Sequence, residues 1–290
     1  MKAWLSIDFE DIAHDFKREF AIPQDGGLRA EALQRSYDAI ETFAQEHLNG
    51  ARLTFFTTGV VAEKCPEIVA RIAGDGHEIA CHYFWHDPCR LDPLEIFEAH
   101  LRRAVDALET ASGQKVLGFR APRFSLDATD RAHFAVLETL FAYDSSLTIG
   151  EGEDPAALRA ATGVERLALL PILRRRPGPG LPRLRTGGAG LKYAPISVTI
   201  AGLEQAAEMG LAPQFYLHPY EFMADQAFYF PVSEMGDIAL HRKLFLWARQ
   251  THCHVIGNAR LLDKLRRIAA EVEIAGRMRE LVGVSGGVRR

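Results

Sequence analysis

The chain has 290 residues, of which 48% are hydrophobic and 25% charged, and its formal net charge at pH 7 is −4. This is an ordinary globular composition, long enough to bury a large core without disulfides or a structural metal. The negative charge argues against a nucleic-acid-binding protein. Because no run of about 18 apolar residues occurs, no membrane span is predicted.

The cysteines and the N-terminal segment together indicate a cytoplasmic protein. The four cysteines form no C-x-x-C pair and no regular framework, which is typical of reduced thiols. They are Cys65, Cys81, Cys89 and Cys253. The apolar run that begins at Trp4 is broken by Asp8, so it does not form the core of a signal peptide.

Hydrophobic periodicity predicts strands that alternate with helices along the chain. Strands are predicted at 4–7, 53–57, 77–81, 116–119, 142–144, 214–217 and 254–256. Helices are predicted at 28–48, 60–73, 93–110, 129–140, 203–209 and 238–251, with a C-terminal helix at about 261–281. This alternation implies one domain, residues 1–290, around a mostly parallel sheet that is open or closed as a barrel.

One segment departs from the alternation. Residues 171–195 are rich in proline, glycine and arginine and are expected to form a long irregular loop. The basic run in this loop could contact an anionic ligand, although solvated loop charge is the more typical role for such a run.

Two histidines with four-residue spacing follow the third predicted strand. On a helical turn, the side chains of His82 and His86 would project from the same face and could bind one divalent metal. The glutamate of the H-E-x-x-H metalloprotease motif is absent, because Tyr83 holds that position. The neighbouring Cys81 could add a thiolate, but free cysteines are mostly buried packing residues.

Ionisable residues follow four of the predicted strands, at the edge where parallel α/β folds build their active sites. They are Asp8, Glu10, Asp11, His82, His86, Arg120 and His218. Two imidazoles and a carboxylate can bind a metal that activates water. A second carboxylate can serve as general base, another histidine as general acid, and an arginine can pair with the base. These parts predict metal-assisted amide hydrolysis.

In order along the chain, the motifs resemble those of the polysaccharide deacetylase family, the NodB-homology group of carbohydrate esterases. The matching segments are 6–11, 54–59, 76–86, 118–124, 143–146 and 217–219. The first of them resembles a variant in which the acidic residues are spaced apart. The resemblance runs from residue 4 to about residue 260 and implies a deformed (β/α) barrel.

The resemblance also implies roles for individual residues. Asp8 would be the catalytic base, Arg120 would orient it, and His218 would be the acid. His82 and His86 would bind the metal. Substrate would contact Pro122 and Phe124 of segment 118–124 and Leu217 of segment 217–219.

The third metal ligand is open. In the common family pattern it is the aspartate directly after the base, and here that position is Phe9. Asp11 is favoured, because a strand that turns into a loop could bring it back toward Asp8. Glu10 is the alternative, because it lies on the same side of a regular strand as Asp8.

The implied activity is removal of an N-acetyl or similar N-acyl group from an amino sugar of a surface polysaccharide, such as an O-antigen or capsule, or its precursor. A cytoplasmic substrate, such as a nucleotide-linked or lipid-linked sugar, is expected. Zinc is the expected metal, and cobalt, manganese or nickel would also suit nitrogen and oxygen ligands.

Two other functions fit the same fold. One is another C–N hydrolase of the allantoinase type, which opens cyclic amides without a metal, and the histidine pair argues against it. The other is a catalytically inactive glycan-binding homologue, which the phenylalanine at position 9 keeps open.

Overall fold

The structure is a computed structural model and describes residues 1–22, 27–223, 225–254 and 256–283. The strands in these ranges are β1 (Lys2–Phe9), β2 (Thr54–Thr57), β3 (Glu78–Cys81), β4 (Gly118–Phe119), β5 (Tyr143–Asp144), β6 (Thr148–Gly150), β7 (Ala168–Leu169), β8 (Ile172–Arg175), β9 (Leu184–Arg185), β10 (Gln214–Leu217) and β11 (Glu273–Ile274).

The α-helices in the same ranges surround these strands. They are α1 (Ile12–Glu19), α2 (Ala30–His47), α3 (Gly59–Lys64), α4 (Pro66–Gly74), α5 (Leu94–Ser112), α6 (Arg131–Leu140), α7 (Pro155–Thr162), α8 (Gly188–Tyr193), α9 (Ile196–Glu208), α10 (Leu240–His254) and α11 (Asn258–Glu271). Among them, none is both long and apolar enough to cross a membrane.

The main sheet is parallel and curls into a half-barrel. Its order is β10-β1-β2-β3-β4-β5-β7, and β11 adds to β1. Because its strands run in one direction, their carboxyl ends meet at one edge. Residues Asp8, His82, Arg120 and His218 therefore lie at or just beyond the same edge.

The central strand β1 is buried on both faces, as parallel strands usually are. Leu5, Ile7 and Phe9 are almost fully buried on one face and belong to the hydrophobic core. Ser6 and Asp8 alternate with them on the other face and both contact the guanidinium of Arg120. The two-residue period of the strand thus directs the proposed base into the barrel.

The open side of the half-barrel, between β7 and β10, is bridged by side chains. The amide nitrogen of Gln214 donates to the carbonyl oxygens of Leu170 and Pro171, at 2.7 and 3.2 Å. The hydroxyl of Thr186 donates to the carbonyl oxygen of Gln214 at 2.9 Å. These bonds occupy backbone groups at an edge where the strand ladder stops.

Residues 171–195 are not an irregular loop, and that prediction is corrected here. Strands β8 and β9 form an antiparallel pair, β6 joins β8 in a second sheet, and α8 follows. The Pro/Gly run at 177–180 lies between β8 and β9, where a chain reversal needs such residues. The apolar Ile172 and Leu173 are buried, which ties β8 to the rest of the protein.

Several helix boundaries and one strand also differ from the prediction, and α9, predicted at 203–209, begins at Ile196. The helix predicted at 60–73 divides at Cys65, because Pro66 has no amide hydrogen to continue α3 and instead begins α4. The strand predicted at 254–256 is replaced at His254 by the end of α10, and residue 255 lies outside the described residues. Short apolar runs do not distinguish helix from strand. The C-terminal helix α11 ends at Glu271, before β11.

Candidate functional site

Three side chains at the carboxyl edge of the sheet converge as a metal site would require. Ligand atoms of Glu10, His82 and His86 all lie within 4.8 Å of one another. The Glu10 Oε2 atom is 2.5 Å from His86 Nε2 and 3.4 Å from His82 Nε2. This oxygen is buried and receives no well-aligned hydrogen bond. One carboxylate and two imidazoles fit a divalent cation that keeps positions open for water and substrate.

His82 is oriented by the backbone of the neighbouring strand. It follows β3 directly, and its Nδ1 lies 2.8 Å from the carbonyl oxygen of Arg120. Because a carbonyl only accepts, Nδ1 must carry a proton there, which leaves the lone pair on Nε2 for a metal. The tautomer that a ligand needs is therefore set by the fold.

The two histidines do not lie on a helical turn, and that expectation is corrected here. Residues 82–88 form an irregular bend in which Tyr83 has φ +64°, in the left-handed region. The fully buried Tyr83 ring and its hydroxyl bond to Asp92, 2.6 Å, hold this conformation. The bend still places the ring centroids of His82 and His86 5.2 Å apart.

Behind His86 lies a second carboxylate that the motifs did not include. Asp15 Oδ2, from α1, is 3.3 Å from His86 Nδ1, on the ring edge opposite Glu10. Burial lowers the pKa of His86, and the charges of Glu10 and Asp15 outweigh burial and raise it. For the Glu10 carboxyl, burial favours the neutral acid and would raise the pKa. The charge of His86 and the hydrogen bonds of His82 and His86 outweigh burial and hold the pKa of Glu10 well below its usual range. Asp15 can thus orient the ring as an outer-shell partner of a ligand.

Asp11, the favoured third ligand, is placed elsewhere by the structure. Its Oδ1 accepts from the backbone nitrogens of Ala13 and His14, at 3.0 and 3.2 Å, and its Oδ2 accepts from Arg29 N at 2.6 Å. Strand β1 stops at Phe9 and α1 begins at Ile12, so Asp11 falls at the N-cap, where a carboxylate is preferred. The alternative, Glu10, is the carboxylate that lies with His82 and His86. Cys81, whose burial raises the thiol pKa to about 12, stands outside the group.

Arg120 fixes the proposed base. Its guanidinium is fully buried, donates from Nη1 to Asp8 Oδ1 at 2.6 Å and to Ser6 Oγ at 2.9 Å, and donates from Nη2 to Ser145 Oγ at 3.0 Å. The ring of Phe56 lies 4.0 Å from its Cζ. A charge-assisted bond of this length defines the position of the Asp8 carboxylate.

His218 has a carboxylate partner three residues further along. Its Nδ1 lies 3.0 Å from Glu221 Oε2, which also accepts from the His218 backbone nitrogen at 2.9 Å. Burial lowers the pKa of His218, but the hydrogen bond and charge of Glu221, with Glu10 and Asp8, outweigh burial and raise it to about 9. Glu221 was not among the residues predicted from the sequence, although a Pro-initiated turn with an acid at its third position is a recognisable capping pattern.

The three predicted substrate contacts differ in their exposure. Phe124 is half-buried, has φ +56°, and packs 5.0 Å from the Tyr216 ring. Pro122 is buried at the start of the same turn, and Leu217 is fully buried in register with Ile7. Phe124 is therefore the member of this set that a ligand could touch without rearrangement.

One family model and one curated protein match part of this chain. Residues 34–138 match the family model for polysaccharide deacetylase. A peptidoglycan deacetylase-like protein from Gibberella zeae is 32% identical over 99 residues, which cover 33% of this chain and 28% of that protein. The matched segment thus spans less than a third of the curated relative.

Two solved structures share the fold at low sequence identity. One, from Mycobacterium smegmatis and assigned provisionally as a polysaccharide deacetylase, has a TM-score of 0.60 at 21% identity, with 97% of this chain and 90% of that chain covered. The other, a CE4 family pseudoenzyme from Bacillus anthracis, has a TM-score of 0.50 at 12% identity, with 97% and 65% covered. They confirm the predicted deformed (β/α) barrel.

Proposed function

We propose that this chain, whose residues 34–138 match the family model for polysaccharide deacetylase, is a metal-dependent hydrolase of amino sugars. It would remove an N-acetyl or similar N-acyl group from a surface polysaccharide, such as an O-antigen, or from its precursor. The observation that carries this proposal is the convergence of Glu10, His82 and His86 beside the Asp8–Arg120 pair. Zinc suits this donor set, as do cobalt, manganese and nickel.

Each residue has a defined task in the proposed reaction. The cation would be held by Glu10, His82 and His86. It would supply polarisation of the acyl carbonyl oxygen and a lowered pKa for bound water. The Asp8 carboxylate accepts a proton from the attacking water, and Arg120 keeps that carboxylate in place.

The acid completes the reaction on the amine side. His218, protonated and held at Nδ1 by Glu221, donates a proton to the amine nitrogen as the C–N bond breaks. The products are a carboxylate and a free amino sugar. The free cysteines, of which Cys65, Cys81 and Cys89 are buried, support a cytoplasmic location as part of the proposal.

Acetate release from N-acetylhexosamine oligomers tests the function. Protein stripped with a chelator should be inactive and should recover on reloading with zinc or cobalt. Asp8→Asn should bind metal normally yet lose about 10²- to 10⁴-fold in kcat, the usual contribution of a general base. The exposed Asp237→Asn is the matched control and should behave as wild type.

Other outcomes select the alternatives. Turnover that survives full metal removal would contradict the proposal and favour a cyclic-amide hydrolase. Metal binding without turnover on any acetylated or formylated sugar would favour a glycan-binding protein that is catalytically inactive.

A further inference from the structure

A cavity of about 310 Å³ lies against the catalytic mouth and is lined by three arginines. Arg174 comes from β8, Arg185 from β9, and Arg183 immediately precedes β9. The remaining wall includes Gly187, the start of α8 and the ring of Tyr216. The volume falls in the range of small-molecule sites.

The cavity shares a wall with the proposed acid. The Tyr216 ring that lines it lies 5.6 Å from the His218 ring, centroid to centroid. Gly187 forms a bridge to Tyr216, and a Cβ at Gly188 would stand 3.3 Å from His218 Cε1. Glycines in this segment let the cavity wall approach His218 closely.

The arginines carry more positive charge than their neighbours neutralise. Arg183 pairs with Glu153 at 3.2 Å. Arg174 Nε is buried and makes no hydrogen bond, and the Arg185 guanidinium lies 4.7 Å from the centre of the Phe124 ring. Among the described residues, no carboxylate forms an ion pair with Arg174 or Arg185 within 4.0 Å. The Arg174 Nε–H donor and the uncompensated charges of Arg174 and Arg185 are therefore available to an anionic ligand.

Reaction chemistry says which part of the substrate would reach this cavity. His218 protonates the leaving amine, and that amine belongs to the sugar, so the sugar lies on the His218 side of the scissile bond. The acyl group lies on the side of the cation held by Glu10, His82 and His86. The cavity beside His218 therefore faces substituents of the sugar.

We propose that this cavity is a subsite for a phosphate group carried by the sugar, so that the substrate is an N-acyl amino sugar linked to a phosphate or diphosphate. The inference rests on the proposed function. Guanidinium groups bind phosphate oxygens through paired N–H donors, and several of them suit a multiply charged group better than a single carboxylate. Arg174, Arg183 and Arg185 of residues 171–195 would then bind ligand instead of serving as solvated loop charge.

Binding and kinetics on metal-loaded protein test the subsite. The ligands are an N-acetylhexosamine 1-phosphate, a nucleoside-diphosphate N-acetylhexosamine, an N-acetylated uronic acid and a neutral N-acetylhexosamine oligomer. Arg174→Gln and Arg185→Gln should each weaken binding of the two phosphorylated sugars about tenfold, and more so at low salt. The neutral oligomer carries no phosphate, so its affinity should fall much less than that of the two phosphorylated sugars.

Arg267→Gln, on the exposed face of α11, is the matched control. Phosphate can also bind the cation, so the loss of affinity caused by the arginine substitutions is the quantity that counts. Unchanged affinity for both phosphorylated sugars in Arg174→Gln and Arg185→Gln, or arginine-dependent binding of the uronic acid alone, would overturn the subsite. Arginine-dependent phosphate binding without any deacylation would instead overturn the proposed function.

Discussion

At the scale of single residues, the third metal ligand depends on where one strand ends. The sequence narrowed the choice to Asp11 and Glu10 but could not decide between them. A cap position is fixed only when the boundary between β1 and α1 is known, and such boundaries depend on tertiary packing. Glu221 and Asp15 escaped notice because each acts on a histidine whose position the fold determines.

Substituting the two acids separates their roles. Glu10→Gln should lower metal affinity by more than about 100-fold, since losing even an outer-shell partner costs 10- to 100-fold. Asp11→Asn should keep the metal, because its side chain is a backbone acceptor, and should lower the free energy of unfolding by about 1 kcal/mol through the bond to Arg29 N. Metal titration and urea unfolding measure both effects. The reverse pattern would assign Asp11 as the ligand.

The pairing of His218 with Glu221 sets a pH dependence. A raised pKa keeps the acid protonated to higher pH, so kcat/KM should fall as pH rises through that pKa. Glu221→Gln removes the carboxylate and should move this alkaline limb down by about one to two pH units. A bound cation lowers the same pKa in both proteins, so the difference between them is the measurement. An unmoved limb in Glu221→Gln would show that the carboxylate does not tune the acid, and the exposed Glu208→Gln is the control.

At the scale of elements, the positions where strands end were predictable from the sequence. The close contacts between residues of neighbouring strands were not. Short runs of apolar, β-branched and aromatic residues gave β1, β2, β3 and β10 within a few residues, and with them the residues that line the mouth. Strands β4 and β5 are only two residues long and meet where Gly118 faces the Tyr143 ring. The residues around Gly118 do not indicate that the Tyr143 side chain, from another strand, fills the space next to this glycine.

Adding a methyl group tests this contact. A Cβ at Gly118 would lie 2.0 Å from Tyr143 Cζ, so Gly118→Ala must displace a fully buried ring. We expect a loss of about 1–3 kcal/mol in the free energy of unfolding, measured in urea. Gly74→Ala, at the end of α4 with no atom within 4 Å of the added carbon, should be neutral or slightly stabilising. Equal effects of the two substitutions would contradict the packing described.

For the whole molecule, the alternation of strands and helices predicted a mostly parallel sheet, open or closed as a barrel, and the resemblance implied the deformed (β/α) barrel. The ionisable residues that follow the strands predicted which edge would carry the site. The bridge across the open side of the half-barrel could not be predicted from the sequence. It depends on Gln214 reaching the carbonyl groups of Leu170 and Pro171, more than 40 residues away. The second sheet was also missed, because prolines and arginines between β8 and β9 obscure two short strands.

Removing the bridge should loosen the half-barrel. Gln214→Ala removes the donor to the Pro171 carbonyl and one of two donors to the Leu170 carbonyl, which also accepts from Ser145 Oγ, and should cost about 1–3 kcal/mol in unfolding free energy. Hydrogen exchange should rise in β7 and β10 before the rest of the sheet. Gln45→Ala, which removes an exposed pair with Glu41, should change stability by less than about 0.5 kcal/mol. A stability loss no larger than this control would mean that the bridge contributes little.

The most direct test of the account is an anomalous difference map of crystals loaded with zinc, recorded on both sides of the metal absorption edge. The account predicts one strong peak bound by a Glu10 carboxylate oxygen and the Nε2 atoms of His82 and His86, with Asp11 still capping α1. A peak coordinated by Asp11 in place of Glu10, or no peak between the two histidines at full zinc loading, would contradict it.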